Sequence, residues 1–386
     1  MYYIALQMLF GNRAKYFAMV LGITFSAIIM TQQPAIFVGL LTRTYSFVSD
    51  ISLPDIWVMD PGIQFVEENK PMRDVELIKV RGIDGVKWAV PMYKGLLRAK
   101  MPNGSQKSID LTGLDNATLI GALYRILSGN LSDFRKANAI FVDINAINSR
   151  LMMKNSDGSP RRLEIGDVLE INDQRAVIVG LVKTTRNFVL QPQVYTTYSN
   201  ALNYSFQSRK QLGYILVKAK EGQDPVELAR RISRVTGLMS YTKNEFKTVN
   251  LNYWMNNTGI PINFGISVLL GFIVGAVIAG QTFYMFILEN IKYYAVLKAM
   301  GVTNGMLVKL VLLQAVTVGF IGYGIGVGIT TLFGLNLQDA ILAFRLPPFL
   351  LLFAATGVLI IITLSALFGI RKVVTVDPMK VFRGDT

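Results

Sequence analysis

The stretch Ile260-Pro-Ile-Asn-Phe-Gly-Ile-Ser-Val-Leu-Leu-Gly-Phe-Ile-Val-Gly-Ala-Val-Ile-Ala-Gly-Gln-Thr-Phe-Tyr-Met-Phe-Ile-Leu288 contains no Asp, Glu, Lys or Arg. As a helix rising ~1.5 Å per residue it is about 43 Å long, against a hydrocarbon core of ~30 Å. It reads as a membrane span that tilts or protrudes. The preceding segment 244–259 has little breaker chemistry before Gly259, so a helix is expected to continue outward as a stalk. Three further charge-free runs reach spanning length: Tyr16 to Thr42, Leu310 to Gln338 and Leu346 to Ile370. Arg13 and Lys15 before the first give it the look of a signal peptide. It is too long, because apolar sequence continues through Ile36, Phe37, Val38 and Leu40, and it reads as an anchor.

Composition agrees with this reading. Of 386 residues, 52% are hydrophobic and 17% charged, where a soluble domain carries ~25% charged residues. The chain has no cysteine and no histidine. That excludes disulfides, thiolate zinc sites, histidine-based nucleophilic catalysis and histidine-ligated metals, and no cofactor is expected. The net charge is +14, but its basic residues are interspersed with acids, as in Arg73, Asp74, Glu76, Lys79, Arg81 and Asp84. A nucleic-acid stripe is not what this pattern describes.

Basic residues in the short flanks set the expected orientation. Arg13 and Lys15 precede the first span; Lys292, Lys298 and Lys309 lie between the second and third; Arg371, Lys372, Lys380 and Arg383 follow the fourth. The expected organisation is a cytoplasmic segment 1–15, span one 16–42, an outer domain 43–259, span two 260–288, a cytoplasmic link 289–309, span three 310–338, a short external loop 339–345, span four 346–370 and a cytoplasmic tail 371–386. Glycines punctuate two spans, with Gly271 and Gly275 four apart in the second and Gly324 and Gly328 four apart in the third. Small residues at that spacing allow close helix contact in lipid. Packing within one chain is the simpler use of them, and a dimer seam is the other.

The outer domain reads as strand, helix, strand, twice. Strands are expected at Asp55 to Met59, Val86 to Lys100, Lys107 to Leu114, Leu212 to Ala219 and Leu238 to Thr242. Helices are expected at Pro71 to Val80 and Asp224 to Val235. Between the two units, residues 116–191 look like an inserted part with a helix at Thr118 to Leu127 and strands at Val168 to Ile171 and Ala176 to Val182. Asp110 with Asp115, and Glu164, Asp167 and Glu170, are the acidic groups available for catalysis or metal binding. Turn and surface chemistry explains them more simply. No lysine–hydroxyl pair has the glycine that a phosphate loop requires before its lysine, so no catalytic residue is assigned.

Glu289-Asn-Ile-Lys-Tyr-Tyr-Ala-Val-Leu-Lys-Ala-Met-Gly301 resembles the cytoplasmic segment that follows the second span in FtsX/MacB-type ABC permeases. Val376-Asp377-Pro378-Met379-Lys380-Val381-Phe382-Arg383 is similar to the closing segment of that family. The resemblance implies an α-helical membrane protein with four transmembrane helices and a large extracytoplasmic α+β domain of two subdomains, a split β-α-β porter-like part with an inserted sabre-like part. It also implies that Glu289, Lys292, Ala295, Leu297, Lys298, Met300, Gly301, Asp377 and Pro378 belong to a surface that couples to an ATPase. On a short cytoplasmic helix, Ile291, Ala295, Leu297 and Met300 are the expected apolar stripe for a partner groove. The alternative is an interfacial helix on lipid.

Within that family the chain resembles the stand-alone, DevC-like subunits. MacB itself carries an ATPase ahead of its first span, whereas here a short segment precedes it, so the ATPase is expected on a separate chain and this one is not itself an enzyme. The implied assembly is a homodimer on a homodimeric ABC ATPase in the bacterial inner membrane, in contact with membrane lipids. A periplasmic adaptor and an outer-membrane duct are further partners the family uses. The implied function is mechanotransmission, in which ATP hydrolysis moves the outer domain and pushes hydrophobic or amphipathic cargo outward. The rival is an FtsX-like regulator that activates periplasmic cell-wall hydrolases. An outer domain of roughly 217 residues favours the exporter, because FtsX-type domains are smaller. Polar residues such as Gln32, Gln33 and Gln281 remain in the spans, and interhelical hydrogen bonding is their expected use.

Overall fold

The computed structural model describes residues 2–121, 125–154, 158–205, 212–336 and 342–377. The chain divides into two compact units, Met1–Leu40 with Gly259–Thr386, and Leu41–Thr258. In the first unit four helices are long and apolar enough to cross a membrane: Arg13–Thr44, Ile260–Glu289, Asn304–Asn336 and Pro348–Val374. We call them the first to fourth spans. Two shorter helices accompany them, Tyr2–Gly11 and the link helix Ile291–Ala299. Their shared core takes Val20, Ile23 and Ala27 from the first span, Phe283 and Phe286 from the second, Val311 and Val318 from the third, and Val358 and Ile361 from the fourth. The second span is the least covered. Ile266, Leu269, Leu270 and Val277 stay exposed on it, an apolar surface suited to lipid chains.

Glycines set how closely these helices approach. A Cβ on Gly271 would fall on Ile29, and one on Gly275 on Ser26, so these two lie in the seam between the first and second spans. In the third span the seam falls in a different phase from the expected one. Gly322 and Gly326 pack on the first span, where added Cβ atoms would lie 2.8 Å from Ile23 and 2.6 Å from Ala27, while Gly324 and Gly328 face open space. Several helical faces carry glycine, and spacing alone does not say which one meets a neighbour. Polar side chains close the same seams: Thr24 Oγ1 donates to the Gly322 carbonyl at 3.2 Å, Ser26 Oγ to the Gly271 carbonyl at 2.9 Å, and the Thr31 and Thr330 hydroxyls share a bond at 2.9 Å. Pro34 interrupts the backbone ladder of the first span, and the neighbouring Ala35 carbonyl accepts from the Arg345 N–H at 3.0 Å.

The second unit is built on β1 (Ile56–Met59), β2 (Val86–Lys100), β3 (Gln106–Leu114), β4 (Ile126–Ser128), β5 (Ala139–Asp143), β6 (Met153–Lys154), β7 (Pro160–Arg161), β8 (Val168–Ile171), β9 (Gln174–Val182), β10 (Gln193–Thr197), β11 (Tyr214–Ala219) and β12 (Met239–Thr242). The main sheet runs β12-β1-β11-β2-β3-β10-β5-β9-β4, with β8 pairing β2 and β9. The two strand–helix–strand units therefore interlock, because β1 lies between β12 and β11, and β11 between β1 and β2. The long β2 pairs β11 over its first half and β3 over its second.

Local chemistry explains these elements. The helix Pro225–Thr236 opens on Asp224, whose carboxylate accepts from the Val226 N–H at 3.1 Å, and stops at Gly237 with φ 73°. It buries Leu228, Ala229 and Ile232. The helix Val75–Arg81 starts later than expected, since Pro71 leads into a bridge in which the Met72 N–H donates to the Leu212 carbonyl at 2.7 Å. The helix expected at Thr118 to Leu127 is not formed by the described residues of that stretch. Gly121 has φ 98° and Ile126 pairs with Val182 in the sheet; residues 122–124 lie outside the described residues. The stalk also differs from expectation. One helix ends at Asn256, closed by the Asn257 N–H donating to the Tyr253 carbonyl at 2.9 Å, and the second span begins separately after Gly259.

Candidate coupling site

Between the second and third spans the chain makes one short helix and a turn. Asn290 ends the second span by donating Nδ2 to the Phe286 carbonyl at 2.8 Å. The link helix then runs Ile291–Ala299, and Gly301 closes it with φ 89°, a conformation that favours glycine. Glu289 was expected to open this helix. It is instead the last residue of the second span, ion-paired with Lys15 and accepting from Asn12 Nδ2 at 3.0 Å, so it ties the second span to the start of the first.

The inner side of the link helix is held at three points. Tyr294 is fully buried and donates its hydroxyl to Gln314 Oε1 at 2.8 Å; the same amide donates Nε2 to the Ala5 carbonyl at 2.8 Å. Burial pushes the Tyr294 phenol well up, which keeps it a neutral donor. Lys298 Nζ donates to the Val374 and Val376 carbonyls at 2.7 and 3.0 Å. Val374 ends the fourth span and Val376 lies two residues beyond it, so the ammonium sits where helix carbonyls lack partners and a cation complements the dipole. Ala295 packs on Val376, and Leu297 joins the core of the bundle.

That arrangement corrects the expected docking stripe. Ala295 and Leu297 are 0% and 5% exposed, turned into the chain itself, while Met300 is 66% and Tyr293 61% exposed, with Lys292, Val296 and Ala299 beside them. The apolar residues of this helix surround it, so periodicity could not separate its covered from its uncovered side. Asp377 is exposed, and Pro378 lies outside the described residues. At the other end of the bundle an apolar cavity of about 510 Å³ opens between the first, second and fourth spans, walled by Phe37, Phe264, Phe272, Phe353 and Ile360.

Four of the acidic groups singled out in the outer unit, Asp110, Asp115, Asp167 and Glu170, are engaged individually. Asp167 accepts from the Glu164 N–H at 2.9 Å and pairs with Arg161 at 2.7 Å, and Glu170 pairs with Lys100 at 2.9 Å. Asp115 caps a turn by accepting from the Thr118 N–H at 2.8 Å. Asp110 lies in a buried pair with Lys94 that the sequence reading missed. Its signal is a lysine and an aspartate each set within an apolar strand run, Met92 to Leu97 and Ile109 to Leu111.

The sequence profile of the MacB-like periplasmic core domain matches residues 16–235, and that of the FtsX-like permease C-terminal region matches residues 264–378. An uncharacterised ABC transporter permease of Mycobacterium bovis is 26% identical over 222 residues, covering 57% of this chain and 58% of that protein. A second, from Methanocaldococcus jannaschii, is 23% identical over 171 residues, covering 43% of this chain and 42% of that one. The chain thus aligns with little more than half the length of the mycobacterial relative. Among solved structures, the periplasmic region of MacB from Actinobacillus actinomycetemcomitans superposes on 52% of this chain and 94% of its own, at 12% identity and a TM-score of 0.38. The extracellular domain of the noncanonic ABC-type transporter YknZ from Gram-positive bacteria superposes on 50% and 99%, at 15% identity and a TM-score of 0.33. With one profile covering more than half of the sequence and the other most of the remainder, the protein belongs to the MacB/FtsX family of ABC transporter permeases.

Proposed function

We propose that this chain is the transmembrane permease subunit of an ATP-driven export complex that moves hydrophobic or amphipathic cargo outward by mechanotransmission. A separate ABC ATPase docks on the uncovered side of the link helix, at Lys292, Tyr293, Val296 and Met300. Two copies of the chain meet over two copies of the ATPase, and Gly324 and Gly328 offer a face where backbones of the two copies can approach. The observation that carries this reading is the three-point fixing of the link helix. A push on its outer side is passed to the amino-terminal helix through Gln314 and to the end of the fourth span through Lys298. The first and second spans are joined by the chain itself to the two ends of the outer unit.

Two features support transport without a conduit. The central stretches of the spans, 16–42, 260–288, 310–336 and 348–370, carry no Asp, Glu, Lys or Arg, which ion-binding or proton-relaying transporters need within the membrane. The 510 Å³ apolar cavity between three spans suits a hydrophobic group. The test is co-reconstitution of the full chain with its ATPase in proteoliposomes. The proposal requires ATP hydrolysis that depends on this chain and outward release of a fluorescent amphiphile. Hydrolysis without any release indicates a regulator, and hydrolysis indifferent to the chain refutes the partnership.

A further inference from the structure

In the outer unit a partly open cavity of about 140 Å³ is lined by the segment Ile63–Lys70, by β2, β3 and the start of β11, and by residues from Asn187 to Gln191. One wall holds the buried ion pair. Lys94 Nζ donates to both oxygens of Asp110 at 2.8 and 2.6 Å, Asn187 Nδ2 adds a bond at 3.3 Å, and the ammonium lies 4.2 Å from the Phe47 ring centroid. Lys70 and Glu68, also in the lining, pair at 2.7 Å. These four charges cancel in pairs. Glu67 is left over, and among the described residues its buried Oε2 has no hydrogen-bond partner.

An ionised carboxylate without a partner is expensive to bury. Burial pushes the Glu67 carboxyl up to about 7, with Lys94 and the residue's own backbone N–H opposing the shift and Asp110 adding to it. The segment that carries it is nonetheless firmly held. The Tyr214 hydroxyl donates to the Val66 carbonyl at 2.9 Å, the Val66 N–H donates to Asn250 Oδ1 at 3.0 Å, and Phe65 stacks on Tyr253 at 4.6 Å. A rigid backbone thus holds Glu67 in the lining of a cavity that also has the apolar residues Ile63, Val66, Leu96 and Val189.

We infer that this cavity is a binding site for a primary ammonium group carried on a compact apolar body. The ammonium supplies the cation and donors that Glu67 lacks, and the body covers the apolar walls. A calcium ion needs about six to eight oxygen ligands, and a single free carboxylate does not provide them. The volume is close to the ~150 Å³ of a cavity that admits benzene, which sets the size of the body at about one ring.

The site is tested on the full chain in nanodiscs with no ATPase present, so its outcome is separate from that of the export proposal. Benzylamine, benzyl alcohol and the peptide Phe-Gly-Gly, whose amino terminus carries the same group, are titrated by saturation-transfer NMR. Benzylamine is expected to bind at least tenfold more tightly than benzyl alcohol at pH 8. Glu67→Gln is expected to abolish that preference while leaving the alcohol unchanged. Lowering the pH from 8 to 6 weakens the amine, because Glu67 takes up a proton beside Lys94, Asp110, Glu68, Lys70 and Tyr214. The tighter of benzylamine and the peptide assigns the group to a free amine or to a peptide end. Leu96→Trp, which adds bulk at the cavity wall, is expected to weaken every probe and serves if Glu67→Gln fails to fold. Equal binding of amine and alcohol, or a preference that survives Glu67→Gln, overturns the assignment.

Discussion

Tyr294 on the link helix donates its hydroxyl to Gln314 Oε1 in the third span at 2.8 Å, and both side chains are wholly buried. Gln314 also holds the Ala5 carbonyl, so one amide joins three helices. Replacing Gln314 with Leu leaves the phenol buried without its partner, at a cost of ~1–3 kcal/mol, and removes the second bond to an Ala5 carbonyl that its own helix still satisfies. Thermal unfolding in detergent is expected to show Gln314→Leu strongly destabilised, with Tyr294→Phe added on top recovering part of the loss. A double variant no better than Gln314→Leu contradicts the relay.

The two sides of the link helix respond differently to charge. Leu297→Asp puts a carboxylate into the core of the bundle and is expected to cost more than ~3 kcal/mol, or to prevent accumulation in the membrane. Met300→Asp, at an exposed position, is expected to stay within ~0.5 kcal/mol of the parent. Melting temperatures of the two variants check this, and comparable losses contradict the assignment of faces.

The third-span glycines separate in the same manner. Gly326→Leu drives a side chain into Ala27 and the Thr24 carbonyl and is expected to loosen the bundle, read as a lowered melting temperature. Gly328→Leu meets open space within the chain and is expected to leave the melting temperature unchanged. On the homodimer reading it lowers self-association, which cross-linking in membranes measures.

Glu67 makes stability depend on pH in a defined direction. Its carboxyl titrates near 7 in the folded chain and at about 4.5 in a free chain. The folded state therefore holds the proton more tightly, and this group's contribution to stability is fully present below about pH 4.5 and is lost as the pH rises to about 7. Glu67→Gln removes that slope. The variant is expected to gain on the parent across this window, by up to ~3 kcal/mol above pH 7. A difference that stays constant from pH 5 to 8 contradicts it.

The spans were legible because absence of charge over a membrane thickness is a one-dimensional signal. So were β2 and the helix opened by Asp224 and Pro225, where alternation and capping act within a few residues. Other features depend on partners distant in sequence. Leu212 holds Met72 in a bridge and delays the following helix, and Thr24 selects Gly322 over Gly324. β5 and β10 are fully buried strands without alternation and were not anticipated. The uncovered side of the link helix was misread for a similar reason, since Leu297 and Met300 are equally apolar and only the surrounding helices distinguish them.

On the proposed reading, an ATPase acts on this chain through the outer side of the link helix. This is tested most directly by measuring ATP hydrolysis in the reconstituted complex with Val296→Asp and Met300→Asp combined. Hydrolysis is expected to fall to the level of the ATPase alone, while the variant chain inserts and melts like the parent. Full stimulation by that folded double variant contradicts it.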